Sequence, residues 1–274
     1  MSGRRHQDYL IVGVIAAIAL FFLLPFVWIL LTSLKPEAEV FSRSLWPSAL
    51  QFDNYARLLD KMPFWQYLRN SVLITAISVL GVVLSSSLVG YAFGCIEWRG
   101  RNFLFYFVIA TMMLPMQVTM IPIFVIFKEL GWLNTFKPLT VPMFLGGGAF
   151  NIFLMRQFFM TVPASLLDAA RIDGCSELGI WWRVVLPLAR PALATVAILT
   201  FMFTWNDFLT PLIYLSDQAK GTLALGLGQL AGQQQPEWAV LMAASVLMML
   251  PVIVLFFLFQ KYFIQGFTMS GIKE

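Results

Sequence analysis

From Tyr9 to Leu34 the chain runs without a single Asp, Glu, Lys or Arg. That is longer than the roughly 20 apolar residues a helix needs to cross a hydrocarbon core of ~30 Å. Inside such a layer no water satisfies the peptide groups, so the run has to be helical. Arg4 and Arg5 precede it, as they would in a secretory leader. A leader's apolar region is only about 7–15 residues, however, and no clear small-residue cleavage site follows, so the run reads as a first membrane span.

Further apolar stretches recur along the chain. The pattern predicts an all-α membrane protein with six transmembrane helices, at about 9–34, 71–94, 103–127, 138–158, 191–214 and 238–259, as one domain over 1–274. Composition agrees: 59% of residues are hydrophobic, 12% are charged and the mean hydropathy is +0.80. A net charge of +4 is too small to argue for nucleic acid. The two cysteines, Cys95 and Cys175, have no metal-ligand spacing and form no disulfide framework. The single histidine is His6, which argues against zinc hydrolysis and Ser-His-Asp chemistry; both need an imidazole inside a packed core.

Local sequence predicts irregularities within this frame. Between the first two spans, the segment from Phe52 to Leu59 has helical spacing and ends at Pro63, which fits short helices at the membrane surface or a packed loop. The second span carries Gly81, Gly90 and Ser85-Ser86-Ser87, small residues that let helices approach closely. The third contains Met113-Leu114-Pro115 and Pro122, and proline removes a backbone donor, so a broken helix lining a passage or a merely kinked one is expected there. Gly146-Gly147-Gly148 in the fourth predicts an unwound or closely packed point. Arg156, in that span's last turn, can reach the interface with its long side chain. Asp207 is the one acid placed within a span; intramembrane acids mark function by default, although this one falls close enough to the span's end to reach water.

One stretch is too polar for its surroundings. Thr161 to Pro191 carries Asp168, Arg171, Asp173, Glu177, Arg183 and Arg190. Its first half reads as a helix that starts at Pro163, or is capped by Ser165, and stops at Gly174, where a tight stop requires positive φ. A second short helix runs to Leu186-Pro187, with Leu178, Ile180, Trp181, Trp182, Val184 and Val185 as an apolar anchor. With six spans both termini lie on the side of this loop, and that side holds a slight majority of the 18 Lys and Arg, which favours cytoplasmic termini without deciding the matter alone.

Asp168-Ala169-Ala170, then Gly174, then Val184 and Leu186-Pro187 resemble the EAA loop of ABC-importer permeases, with Asp in place of Glu and Val in place of Ile. Phe52-Asp53-Asn54-Tyr55, Met113-Leu114-Pro115, Trp205-Asn206-Asp207 and the tail Gly266-Phe267-Thr268 with Gly271-Ile272-Lys273 resemble the carbohydrate-uptake branch, so the similarity covers nearly the whole chain. The resemblance implies a type I importer permease fold in a prokaryotic cytoplasmic membrane, and a coupling loop, 161–190, that docks on an ATPase. The residues it assigns to coupling are Asp168, Ala169, Ala170, Arg171, Asp173, Gly174, Leu186 and Pro187. It also implies that the chain is not itself an enzyme and holds no cofactor or metal. ATP and Mg belong to two ATPase subunits, and the remaining partners are a second homologous permease, an extracytoplasmic solute-binding protein and membrane lipid. The absence of a G-x-x-x-x-G-K-[ST] loop fits a borrowed motor.

For a sugar-like solute, Gln117, Asn151, Trp205, Asn206 and Asp207 are the candidate passage residues, because aromatic faces and polar groups together hold hydroxylated rings. The same machine carrying glycerol phosphate or an amino sugar is the alternative. A self-sufficient secondary transporter would be expected to show an internal repeat and paired intramembrane charges, and neither is evident.

Overall fold

The computed structural model describes residues 2–269, with side chains for 11–260. The histidine and the arginine pair near the N-terminus, and the tail motifs from Gly266 onward, therefore lie outside the residues whose side chains are described. Helices account for the regular structure: α1 (Ser2–Ser33), α2 (Asp53–Lys61), α3 (Phe64–Gly94), α4 (Arg101–Ala110), α5 (Met116–Glu129), α6 (Lys137–Thr140) and α7 (Ala149–Phe159), followed by α8 (Ala164–Ile172), α9 (Glu177–Ile180), α10 (Leu186–Leu188), α11 (Arg190–Trp205), α12 (Leu209–Tyr214), α13 (Leu223–Ala231) and α14 (Trp238–Met269).

Among the described residues, Ile11–Ser33, Phe64–Gly94, Lys137–Phe159 and Trp238–Gln260 are long and apolar enough to cross a membrane. Two further pairs qualify only as bent spans: Arg101–Met113 with Met116–Glu129, turned by 101°, and Glu177–Leu188 with Arg190–Trp205, turned by 83°. The first bend falls at Leu114-Pro115, where the sequence predicts a break. Pro115 cannot donate and disfavours helical geometry in the residue before it, and Leu114 is extended (φ −79°, ψ 116°).

The chain divides into two compact units, residues 1–64 with 226–251 and residues 65–225 with 252–274. In the first, buried polar groups hold the segment that follows α1. Asn54 Nδ2 donates to the carbonyls of Ser33 and Lys35, each at 2.9 Å, so α2 is fastened rather than merely lying on a surface. Lys35 is itself buried, and its Nζ donates to the Ser44 carbonyl at 2.5 Å. The Glu37 carboxylate accepts from the backbone N–H groups of Trp238 (2.7 Å) and Ala239 (2.9 Å), placing a negative charge at the positive end of α14. Glu237 pairs with Lys61 at 2.7 Å and with Arg57, and these cations, Lys61 foremost, hold its carboxyl below the usual range.

The second unit is organised around α3. Lipid is as apolar as leucine, so spans associate through close approach and hydrogen bonds rather than through expulsion of water. A Cβ on Gly90 would stand 2.7 Å from Met155 Cβ, and one on Gly94 would stand 3.0 Å from Phe159 Cβ, so the backbones of α3 and α7 nearly touch. Ser85 Oγ donates within 2.9 Å of the Met143 carbonyl, and Ser78 Oγ within 3.2 Å of that of Leu139. The small residues of this span form the expected packing face. Gly146, Gly147 and Gly148 all have positive φ and unwind the chain before α7; at Gly147 (φ 68°) a Cβ would lie 2.9 Å from the Val82 carbonyl oxygen.

Three sequence expectations need adjustment. α3 begins at Phe64 rather than near Ser71, because Asn70 continues the helix and turns its amide to the carbonyls of Ala219 (3.1 Å) and Gly221 (2.9 Å). The fifth span does not run unbroken to Tyr214: α11 ends at Trp205 and α12 starts at Leu209, so Asp207 sits in a break. Arg156 turns inward; its Nε donates to the Phe93 carbonyl at 3.2 Å and its guanidinium lies 4.0 Å from the Phe105 ring centroid.

Candidate functional site

The polar stretch folds as two short helices joined by a hard stop. α8 starts at Ala164, with Pro163 in extended conformation as its cap and no side-chain cap; Ser165 does not cap it. At the other end Gly174 has φ 79°, the Gly174 N–H meets the Arg171 carbonyl (3.0 Å) and the Cys175 N–H meets the Ala170 carbonyl (3.0 Å). These paired bonds form a Schellman stop, and they satisfy carbonyls that the helix end leaves open. Ser176 then caps α9, its Oγ accepting from the Gly179 N–H at 3.2 Å. Beyond Ile180 the second helix loosens into a π-helical turn over Trp181–Val185, continues through α10, and meets α11 at the 83° bend.

The inward side of this loop belongs to one buried cluster. Leu167 and Ala170 of α8, Ile180 of α9, and Val185 and Ala189 pack with Val82 and Tyr91 of α3, Met155 and Phe159 of α7, and Ala192 and Val196 of α11. The loop is thus built into three membrane-embedded helices at once. This splits the two alanines expected to face a partner. Ala170, three residues after Leu167, turns into the core, and only Ala169 faces out. Outward lie Leu166, Asp168, Ala169, Arg171, Ile172, Asp173 and Gly174, with Ile172 at 86% exposure. Pro187 is exposed and Leu186 half-buried. Of the apolar anchor, Ile180 and Val185 are buried, whereas Leu178 and Trp182 face out.

Charges knit the two helices together. Arg171 donates from Nη1 to Asp168 Oδ1 and from Nε to Glu177 Oε1, both at 2.9 Å. Glu177 Oε2 accepts from the Tyr91 hydroxyl at 2.5 Å. The Arg171 hydrogen bond, and after it the one from Tyr91, holds the Glu177 carboxyl below its ordinary 4.5. Because that value is lowered, the bridge is present above 4.5 and fails only as pH falls through the lower folded value; at neutral pH it is intact. Burial pushes the neighbouring Cys95 thiol up to about 11, so it stays protonated and unreactive. Sequence reading singled out Asp168 and Arg171 but missed Tyr91, which lies 86 positions from Glu177. A tyrosine near the end of an apolar span, with its hydroxyl in need of a partner, was the available signal.

The passage candidates do not converge. A cavity of about 50 Å³ is lined by Ser71, Thr204, Asp207, Thr210 and Thr222 among others, and Asp207 is the one candidate lining it. Its volume suits water and falls well short of the roughly 300 Å³ at which small-molecule pockets begin. Asp207 Oδ1 accepts from the Thr210 N–H at 3.0 Å, in the first turn of α12. Trp205 is buried and stacks on Phe201 at 5.4 Å, Asn206 and Asn151 bond backwards to the carbonyls of Met202 and Gly147, and Gln117 is exposed on α5.

A profile of the family described as "Binding-protein-dependent transport system inner membrane component" matches residues 86–269. The arabinooligosaccharide transport permease AraQ of Halalkalibacterium halodurans is 37% identical over 264 residues, covering 94% of this chain and 93% of that protein. The trehalose/maltose permease MalG of Thermococcus litoralis is 32% identical over 268 residues, covering 96% of each. Among solved structures, a chain of a bacterial ABC transporter involved in import of the acidic polysaccharide alginate superimposes with a TM-score of 0.79 at 29% identity, over 94% of this chain and 97% of that one. With the fold of a type I importer permease, the chain belongs to the family of binding-protein-dependent transport-system inner-membrane components.

Proposed function

We propose that this chain is one permease subunit of an ATP-driven importer that carries a sugar or a sugar-like solute, such as an oligosaccharide, from an extracytoplasmic binding protein into the cytoplasm. The observation that carries the reading is the two-helix loop, outward-facing and charged on one side and packed with α3, α7 and α11 on the other. A subunit without a nucleotide-binding loop needs a place where an external motor can push, and this is a surface of that kind. The sugar class is supported by the relatives named for arabinooligosaccharides and trehalose/maltose.

In this reading the chain crosses the membrane six times, each bent pair counting as one crossing, and both termini are cytoplasmic. Asp168, Ala169, Arg171, Asp173 and Gly174 meet the ATPase, while Ala170, Leu186 and Pro187 shape the loop behind them. Two ATPase subunits with ATP and Mg, a second homologous permease and the binding protein complete the machine. Gln117, Asn151, Asn206 and Asp207 form polar points along the passage, and Trp205 fixes the α11–α12 break from behind.

The test is reconstitution of the complete complex in proteoliposomes with a panel of labelled oligosaccharides presented on the binding protein. Accumulation that requires both internal ATP and the binding protein is expected. Accumulation driven by an ion gradient without ATP would contradict the reading.

A further inference from the structure

The structure assigns Tyr91 a positioning role: through Glu177 it ties the coupling loop to α3, so that displacement of α8 is delivered to the second span. This inference rests on the reading of the loop as the ATPase contact. Besides the packing of Leu167 and Ala170 in the buried cluster, a push on α8 has two covalent routes into the membrane and one polar route. Backwards, the chain reaches α7 through Met160–Pro163, a non-helical turn ending at a proline. Forwards, it reaches α11 only through a π-helical segment and an 83° bend. Both covalent routes contain a joint that can absorb motion.

The polar route runs beside that packing, fixes direction where apolar contacts can slide, and has no joint in the chain. Arg171, in the last turn of α8, holds Glu177 Oε1 at 2.9 Å. Glu177, in the first turn of α9, holds the Tyr91 hydroxyl through Oε2 at 2.5 Å. With one oxygen committed to each neighbour the carboxylate has one orientation, and both bonds are charge-assisted, about twice as strong as neutral ones. Tyr91 is 2% exposed, and its ring packs edge-on to Phe159 with centroids 6.4 Å apart, so the hydroxyl cannot follow Glu177 without moving α3. Behind Tyr91, Gly90 sets α3 against Met155 of α7, so the force is shared across that contact.

Tyr91→Phe removes one hydroxyl and leaves the ring in place. In the reconstituted complex it is expected to raise the ATP hydrolysed per solute imported at least fivefold, with the ATPase subunits still co-purifying in wild-type amount. Amide hydrogen exchange across α8 and α9 should rise at least tenfold. Glu177→Gln, which keeps the shape but loses the charge, should move both readouts the same way and serves if the first variant assembles poorly. Either readout left at its wild-type value in both variants would overturn the inference; faster exchange with an unchanged ratio, in particular, would reduce Tyr91 to a structural brace. A wild-type complex that fails to import with ATP is a different failure: it removes the functional reading, and exchange alone then decides whether Tyr91 holds the loop.

Discussion

Gly174→Val is expected to lower solute uptake at least tenfold in the reconstituted importer while ATP hydrolysis continues, whereas Gly174→Asn keeps most of the uptake. A Cβ at this position meets nothing within 4 Å, so crowding is not the obstacle. The obstacle is φ, which at 79° costs an ordinary L-residue about 1–2 kcal/mol and a β-branched one more. Valine escapes that strain by leaving the left-handed region. In doing so it breaks the Gly174–Arg171 and Cys175–Ala170 backbone bonds and swings α9 away from α8. The Arg171–Glu177 bridge opens with it, and a motor pushing on α8 no longer moves α9. Asparagine visits the left-handed region with little strain and keeps the stop. Parallel assays of transport and ATPase activity separate the explanations. Equal activity of the two variants would show that the stop is dispensable, and equal loss would show that a bare backbone, not φ, is what the partner requires.

Ile172→Asp is expected to weaken retention of the ATPase by the solubilised permease pair roughly 30-fold. That corresponds to the ~2 kcal/mol typical of a residue at the centre of an interface. Leu166, Ala169 and Ile172 recur every third residue along the outward side of α8, so they form an apolar strip on a surface that also carries Asp168, Arg171 and Asp173. A large apolar side chain at 86% exposure at the tip of a charged loop is explained by a partner that covers it. The substitution makes no change inside the buried cluster, so membrane insertion and the fold of the loop should be retained. Titration of the purified ATPase against the wild-type and variant permease gives the ratio directly, and unchanged affinity would remove Ile172 from the contact.

What could be read in the sequence follows from the range of the forces involved. Pro63, Pro115, the triple glycine and Gly174 act on their own backbone through a missing donor or a positive φ, and the chain breaks or turns at each of them. The apolar runs were legible for the same reason, since solvation in lipid is a property of each segment. Contacts between distant segments left no such trace. The Glu37 carboxylate caps a helix 201 positions away, Asn70 reaches a carbonyl 151 positions away, and Tyr91 meets Glu177 across 86. The facing of α8 was not legible: the sequence marks a helix that stops at Gly174, and it took the packed structure to show that Ala170 turns inward while Ala169 does not. Asp207 was singled out because an acid inside a span is costly; the structure places it in the break between α11 and α12, where its carboxylate accepts from the Thr210 N–H.

The central claim is that motion enters this subunit through α8. A photoreactive phenylalanine analogue in place of Ile172, illuminated in the assembled complex in proteoliposomes, tests it most directly. The account predicts a cross-link to the ATPase subunit whose yield changes when ATP is added. A cross-link to the extracytoplasmic binding protein, or to lipid alone in a complex that still imports solute, would contradict it.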